Sequence, residues 1–142
     1  MTKTVDFVAI GRRVLESESE SVRLAAERLD EEFAKAARIL LDTDGKVVLL
    51  GIGKSGQIAQ KIASTFRSTG TPAVFLHAAE AVHGDLGLFR PGEPVIAISK
   101  SGATEEILRL APAIRRMGSP VIGILGNLRS PMAEWADVVL DG

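Results

Sequence analysis

Short apolar runs alternate with helical stretches from residue 44 to the end of the sequence, and this alternation limits the possible folds more than any other feature. Five runs have the length and composition of buried strands: Val47–Leu50, Ala73–Leu76, Val95–Ile98, Val121–Leu125 and Val138–Leu140. Helical stretches lie between them at Gln57–Ser68, Glu105–Met117 and Met132–Trp135. Strands that alternate with helices pair in parallel through right-handed crossovers. The sequence therefore predicts an α/β fold, a doubly wound five-stranded parallel sheet with helices on both faces.

Residues 1–43 are predicted to form an N-terminal helical arm, and residues 44–142 the α/β core of the same domain. Six apolar residues of the arm recur at alternating spacings of four and three, which places them on one helix face: Val22, Ala26, Leu29, Phe33, Ala36 and Leu40. The shorter segment Val5–Leu15 has an apolar side of its own. One interpretation is a helical hairpin packed on the sheet. Another, compatible with it, is that the arm also packs against a second subunit.

Composition disfavours several classes of protein. Only 4% of the residues are aromatic and the formal net charge is −1, so neither base stacking nor a basic surface favours nucleic acid. The sequence contains no cysteine, which excludes disulfides and thiolate metal sites. No stretch approaches the roughly 20 apolar residues of a membrane span. We therefore expect a cytoplasmic enzyme or sensor whose partner is a small molecule, with no nucleic acid and no membrane.

The segment Gly51–Gly56 follows the first strand and begins a helix, with the sequence Gly-Ile-Gly-Lys-Ser-Gly. Glycines such as Gly53 let the backbone approach an anion, which a helix N-terminus attracts. One interpretation is a loop for a small phosphate ester. Ser55 would then cap the helix and donate to the phosphate, while Lys54 would reach toward the sugar. A plain glycine turn with a serine cap is the structural alternative.

Two nucleotide-binding alternatives fit this first loop less well. The dinucleotide-binding fingerprint has an acidic residue at the end of the next strand, but that strand ends in Leu76. The P-loop motif of nucleotide-binding proteins has a glycine at the position that Val48 occupies here. The phosphate-ester interpretation is therefore favoured.

A second turn from a strand to a helix, Ser99–Thr104, has a similar character. Ser99, Ser101 and Thr104 offer three hydroxyl donors, and Gly102 lets the backbone fold round an oxyanion. Helix capping is the alternative, but capping uses one such residue and three are present. Ligands of doubly wound sheets bind at the carboxyl ends of the strands. Two such turns at that edge indicate one shared anion site.

The two motifs together, Gly-x-Gly-Lys-Ser-Gly and then Ser-x-Ser-Gly-x-Thr-x-Glu after an apolar strand, resemble the sugar isomerase (SIS) domain family. The resemblance covers nearly the whole chain, the helical arm included. It implies that groups of both loops bind the phosphate of a phosphosugar. The residues concerned are Gly53, Ser55, Ser99, Ser101 and Thr104.

The segment His77–Gly87 lies between the two loops and contains both histidines of the chain. With the first loop and Ser68–Pro72, it resembles the arabinose 5-phosphate isomerases of that family. Those enzymes interconvert arabinose 5-phosphate and ribulose 5-phosphate, for synthesis of the acid sugar of bacterial lipopolysaccharide or capsule. The resemblance implies that Lys54, His83 and Glu106 contact the substrate or take part in its chemistry.

The chemistry so implied is the transfer of a proton between adjacent carbons through an enediol, which needs no redox cofactor. Histidine is the residue type best suited to act as a base near neutral pH, which favours His83. Glu106 would act as the base only if desolvated, and stabilisation of the helix dipole is its structural alternative. Lys54 could stabilise negative charge on the enediolate or serve only in binding.

We expect neither a metal nor a cofactor. His77, Glu80, His83 and Asp85 could conceivably hold a metal, although no pair has the His-x-x-x-His spacing of a zinc-protease helix. Helix capping or a plain exposed polar position is the structural alternative for His77 and His83.

The sequence also departs from the family pattern. Lys100 and Ala103 stand where these isomerases tend toward other polar residues. The family's isomerase domain continues past its last strand, with a glutamate shortly after it and a histidine further on, and this chain reaches Gly142 there. If those two residues carry the proton transfer, this polypeptide should bind phosphosugar but turn it over slowly or not at all.

Two hypotheses of function follow: an isomerase domain, whole or in part, and a non-catalytic phosphosugar-binding or sensing module of the same fold. The resemblance and the apolar face of the arm also predict a homo-oligomer, either a dimer or a tetramer.

Overall fold

The computed structural model describes residues 5–142, so the first four residues of the predicted arm lie outside the described residues. The strands are β1 (Val47–Gly51), β2 (Ala73–His77), β3 (Val95–Ser99), β4 (Val121–Leu125) and β5 (Val138–Asp141). The α-helices are α1 (Phe7–Glu27), α2 (Glu31–Leu41), α3 (Gly53–Ser68), α4 (Ala78–Ala81), α5 (Glu105–Arg116) and α6 (Pro131–Trp135). A 3-10 helix covers Asp85–Leu88. Every predicted strand is confirmed, with its last residue moved by at most one position.

The five strands pair in parallel in the order β2-β1-β3-β4-β5. The chain runs outward from β1 to β2, crosses back to β3, and then continues in the opposite direction. Right-handed crossovers therefore place α3 on one face of the sheet and α4, α5 and α6 on the other. The predicted doubly wound sheet is confirmed. Its switch point lies between β1 and β3, which is where ligands bind in sheets of this order.

Apolar side chains fill both faces of the sheet. The larger core joins α4, α5 and α6 to the strands, and its most enclosed members include Leu50, Ile107, Ile114, Leu125 and Met132. On the other face, Ala59 and Ala63 let α3 approach β1 and β2 closely, and Ala36 brings α2 onto the sheet beside β5. Burial of this surface supplies most of the stabilisation, at roughly 25 cal/mol for each Å² of apolar area.

The face that carries α2 and α3 is only partly covered. An apolar cleft of about 280 Å³ remains between these two helices, and we call it the sheet-face cleft. Ile96 of β3 and Ile122 and Ile124 of β4 contribute the sheet side of the cleft. Phe33 of α2 and Phe66 of α3 line its edges. The middle of this face therefore has no helix over it among residues 5–142.

The N-terminal arm does not form the predicted hairpin on the sheet. Helix α1 has 21 residues, all of them within the described range, and none is buried. The predicted continuous face from Val22 to Leu40 is also wrong, because the chain leaves helical geometry at Asp30. The Asp30 side chain starts a new helix by accepting a hydrogen bond from the Glu32 N–H at 2.9 Å.

Two polar contacts attach the arm to the last strand and to the residue just before it. Lys35 of α2 donates from Nζ to the carbonyl oxygen of Asp137 at 2.7 Å, and Arg28 forms an exposed ion pair with Asp141 at 3.1 Å. The position of α2 is thus fixed at the edge of the sheet. Within residues 5–142, no helix combines the length and the apolar character needed to cross a membrane.

A partly buried ion pair stabilises the amino-terminal edge of the sheet. Glu93, only 5% exposed, accepts hydrogen bonds from Lys46 Nζ at 2.7 Å, from the Arg90 N–H at 2.8 Å and from the Lys46 N–H at 3.2 Å. Burial alone would raise the pKa of Glu93, but these hydrogen bonds and the Lys46 charge outweigh burial and hold the pKa below its usual range. The pair joins the segments that lead into β1 and β3.

Candidate functional site

The first loop turns directly from β1 into α3. The helix begins at Gly53, whose φ of +57° lies in the left-handed region that favours glycine, and Ile52 occupies the N-cap position. The predicted capping role of Ser55 is therefore wrong, because Ser55 is the third residue of the helix. Ile52 has no polar side chain to offer, so within residues 5–142 the amide hydrogens of the first turn receive no cap from the N-cap side chain. Such amides are suited to bind an anion.

Two glycines pack against each other at the base of this loop. A Cβ atom on Gly51 would lie 2.8 Å from the backbone nitrogen of Gly56, and a Cβ on Gly56 would lie 3.1 Å from the carbonyl oxygen of Gly51. The tight turn therefore requires glycine at Gly51. Within the turn, Lys54 is exposed and Ser55 is half-buried.

The second loop is held by its own hydroxyl groups. Ser99 is only 3% exposed, its Oγ accepts the Gly102 N–H at 3.0 Å, and it shares a 2.8 Å hydrogen bond with Thr104 Oγ1. That shared bond uses one of the two hydroxyl hydrogens, so the pair keeps one hydrogen to donate elsewhere. Ser101 is exposed and accepts the Ala103 N–H at 3.2 Å, which leaves its own hydrogen free.

The turn between β4 and α6 stabilises the second loop through backbone hydrogen bonds. The Gly126 N–H donates to the Ser99 carbonyl at 3.2 Å, and the Met132 N–H donates to the Gly102 carbonyl at 3.0 Å. A Cβ on Gly102 would lie 2.0 Å from Ser130 Oγ. The sequence motifs did not point to this turn, although the serine–proline pair that starts α6 is a recognisable helix-start signal.

The topology brings the two loops together. Leu50 of β1 and Ala97 of β3 are paired Cα partners, and adjacent strands lie roughly 4.8 Å apart. β1 ends at Gly51 and β3 ends at Ser99, so the loops begin side by side at the switch point. The predicted phosphate-binding residues therefore share one edge of the sheet.

The three predicted catalytic residues follow three different strands at this same edge. Lys54 follows β1 as the second residue of α3, His83 follows β2 beyond the short helix α4, and Glu106 follows β3 as the second residue of α5. His83 is exposed and Glu106 is half-buried. Their participation in chemistry stays a prediction.

The histidine-rich segment does not form the alternative metal site. Within residues 5–142, no three His, Asp or Glu side chains are placed to hold a metal ion, so His77, Glu80, His83 and Asp85 are not brought together in that way. His77 occupies the N-cap position of α4 without capping it. Its Nδ1 is buried with no hydrogen-bond partner among the described residues, and its ring meets the Phe75 ring edge-on at 6.3 Å.

Comparison with known protein families identifies the family of this chain. The sequence model of the SIS domain matches residues 39–141. The chain belongs to the SIS domain family. The chain is 43% identical over 141 residues to arabinose 5-phosphate isomerase KdsD of Pseudomonas aeruginosa, and 45% identical over 135 residues to KdsD of Escherichia coli K12. These matches cover 99% and 95% of this chain but 43% and 41% of the relatives, so the chain spans about two fifths of their length.

Solved structures of other proteins share the fold of this SIS domain. A protein of E. coli CFT073, determined in complex with arabinose 5-phosphate, superposes with a TM-score of 0.81 at 38% identity, covering 96% of this chain and 74% of that chain. The NanR protein of Vibrio vulnificus, complexed with ManNAc-6P, has a TM-score of 0.79 at 19% identity, covering 99% of this chain and 52% of that one. The second likeness shows the fold alone.

Proposed function

We propose that this SIS domain binds arabinose 5-phosphate and interconverts it with ribulose 5-phosphate by an enediol mechanism. One observation carries the proposal: two hydroxyl-bearing strand-to-helix turns begin side by side at the switch point of the sheet. The identity to KdsD extends over nearly the whole of this chain, which supports the choice of pentose phosphate.

The phosphate would lie between the two loops. The amides that begin at Gly53 and the hydroxyl of Ser55 would face it from the first loop, and Ser101 would supply a free hydroxyl from the second. Ser99 and Thr104 would contribute the one hydroxyl hydrogen that their mutual bond leaves over. Hydrogen bonds to a charged group contribute about 1.5–3 kcal/mol each, so a few of them suffice to hold a phosphate.

Proton transfer would use the three residues at the same edge. His83 or Glu106 would remove the proton from the carbon next to the carbonyl, and Lys54 would stabilise the negative charge that develops on the enediolate oxygens. The base and the charge-stabilising group would thus come from different strands.

Binding and turnover of arabinose 5-phosphate test this proposal separately. Ser101→Ala should weaken binding, measured by calorimetry, by about tenfold or more, because a charge-assisted hydrogen bond is lost. Ser19→Ala, an exposed serine on α1, is the matched control and should bind as the parent chain does. Unweakened binding to the doubly substituted Ser99→Ala, Ser101→Ala chain would remove the second loop from the site and so contradict the proposal.

Turnover then separates the two hypotheses of function. Formation of ribulose 5-phosphate, followed by NMR, is expected from an isomerase domain, and His83→Gln or Glu106→Gln should lower its rate without abolishing binding. Binding without any turnover would instead assign a sensing module, or a domain whose catalytic set is completed elsewhere. This chain covers only about two fifths of the length of the KdsD relatives, and that observation favours the second function as an alternative.

We also propose that the chain forms a homo-oligomer, a dimer or a tetramer, through α1 and the sheet-face cleft. Helix α1 exposes apolar side chains along its length, and a helix that buries nothing is marginal in water. The sheet-face cleft offers an apolar surface without a helix over it. Seating α1 of one copy at the cleft of another would bury both.

The proposed setting follows from the proposed ligand. A phosphosugar is a charged metabolite, so we place the domain in the cytoplasm, where it would supply acid-sugar synthesis. The net charge of −1 and the few aromatic residues give no support to a nucleic-acid partner.

A further inference from the structure

The start of α6 lies against the second loop at Gly102. Ser130, the N-cap residue of α6, is only 4% exposed, and its Oγ accepts the Ala133 N–H at 3.4 Å. A Cβ atom added to Gly102 would lie 2.0 Å from Ser130 Oγ and 2.5 Å from Ser130 Cβ. The Ser130 side chain therefore fills the space that a side chain at position 102 would take, and it limits where the Gly102 Cα can move.

Backbone hydrogen bonds on both sides of this contact hold the same residue. The Met132 N–H donates to the Gly102 carbonyl at 3.0 Å, and the Gly102 N–H donates to Ser99 Oγ at 3.0 Å. Both polar backbone groups of Gly102 are thus paired, one with α6 and one within the loop. Since Gly102 has a φ of +63°, its orientation sets the direction of the chain between Ser101 and Thr104.

Hydroxyl groups to which the proposed function gives the phosphate stand on either side of Gly102. Within residues 5–142, the side-chain hydrogen bonds of Ser101 and Thr104 stay inside the loop. The contacts of Gly102 with Ser130 and Met132 are therefore what ties this part of the loop to α6. A site whose groups are already in place avoids the cost of ordering them when the ligand binds.

We propose that Ser130 is a positioning residue of the phosphosugar site and that it acts through Gly102. Ser130 does not touch the ligand. It holds Gly102 so that the Ser101 and Thr104 hydroxyls are in place before the phosphate arrives, a role in binding that is separate from its role as the N-cap of α6. The inference rests on the proposed function, because it takes the second loop as a phosphate-binding loop.

Hydrogen exchange of the Gly102 amide, followed by NMR, tests the positioning without any ligand. In Ser130→Ala the loop should open more often, so the Gly102 amide should exchange about fivefold faster or more. Asp30→Ala is the matched control, since it removes an N-cap from α2 on the other face of the sheet. The control should leave the Gly102 exchange rate at its value in the parent chain. An unchanged rate in Ser130→Ala would overturn the proposal.

Binding of arabinose 5-phosphate, measured by calorimetry, tests the consequence for the site. Ser130→Ala and Ser130→Gly should each weaken binding by about fivefold or more, whereas Asp30→Ala should bind as the parent chain does. Glycine is tolerated at an N-cap far better than alanine. If only the cap mattered, Ser130→Gly would bind nearly as tightly as the parent chain, and that result would overturn the proposal.

A paired substitution tests the contact itself. Gly102→Ala adds a Cβ where Ser130 Oγ lies, and Ser130→Gly vacates that space. The double variant should therefore bind arabinose 5-phosphate more tightly than Gly102→Ala alone, although Ser130→Gly by itself weakens binding. Losses that simply add would overturn the proposal. If the parent chain bound no arabinose 5-phosphate, the proposed function would fail, and the Gly102 exchange rates would still decide whether Ser130 holds the loop.

Discussion

At the scale of single residues, the second loop depends on hydrogen bonds that its hydroxyl groups make within the loop. Ser99 is buried and receives the Gly102 N–H, so it shapes the turn whether or not it also meets a ligand. Ser101 is exposed and its hydroxyl hydrogen is free. Substituting Ser99 should therefore affect both stability and binding, whereas substituting Ser101 should affect mainly binding.

Gly102→Ala should disable the second loop. Gly102 has a φ of +63°, and an added Cβ would lie 2.0 Å from Ser130 Oγ. The left-handed conformation alone costs a non-glycine residue about 1–2 kcal/mol, and the clash adds to that. Urea unfolding should show the loss, and calorimetry should show weaker arabinose 5-phosphate binding. Gly87→Ala, whose Cβ meets nothing within 4 Å, is the control, and equal behaviour of the two variants would contradict the described loop.

Glu93 should make stability depend on acid pH. The pKa of Glu93 is below its ordinary value of 4.5 in the folded chain, so its stabilising contribution is present above pH 4.5 and is lost as the pH falls through the lower, folded value. Urea unfolding between pH 7 and pH 3 measures this. Glu93→Gln should lower the free energy of unfolding at pH 7 by about 2 kcal/mol and flatten its acid dependence. The control is Glu18→Gln, at an exposed glutamate, which should keep the acid dependence of the parent chain. If Glu93→Gln also kept it, the ion pair between Glu93 and Lys46 would not be its cause.

At the scale of elements, the arm shows how one capping residue interrupts a helical pattern. Spacings of four and three continue across residues 28–30, but Asp30 adopts an extended backbone and caps α2. Periodicity alone gave no sign of this break, because the apolar residues on either side stay in phase. Asp30 was the available signal, since aspartate is among the preferred N-cap residues.

Asp30→Ala should destabilise the attachment of α2. The substitution removes the 2.9 Å hydrogen bond from the Glu32 N–H, and loss of such a cap costs about 1 kcal/mol. Thermal and urea unfolding measure the effect. Asp30→Asn retains a capping oxygen and should restore most of the stability. If the asparagine variant were as unstable as the alanine variant, the cap would not be the cause.

At the scale of the whole molecule, α1 carries the largest group of exposed apolar side chains, and the sheet-face cleft adds an apolar surface with an exposed phenylalanine at its edge. Phe7, Ile10 and Val14 share one side of α1, and Phe33 at the edge of the cleft is 47% exposed. Exposed apolar patches of this kind mark interaction surfaces. The proposed oligomer accounts for both surfaces with one contact.

Sedimentation velocity should show a species of at least twice the 15.1 kDa chain mass. Val14→Glu on α1 and Phe33→Glu at the cleft should each shift the protein toward 15.1 kDa, because a charge would have to be buried in the contact. Ser19→Glu, on the opposite side of α1, should leave the assembly intact. A parent chain that sediments at 15.1 kDa, or variants that assemble like the parent, would refute the proposed contact.

The amino-acid sequence by itself determined the strands, their parallel pairing and the edge of the sheet at which the two loops meet. These features are local or topological: short apolar runs bury themselves in strands, and right-handed crossovers bring strand ends to one edge. Only the tertiary structure showed that Ser55 does not cap α3, that α1 buries none of its residues within the described chain, and that Ser130 fills the space beside Gly102. Those facts depend on which residues distant in sequence become neighbours. Hydrophobic periodicity reports only the local spacing of apolar residues, so it cannot predict such contacts.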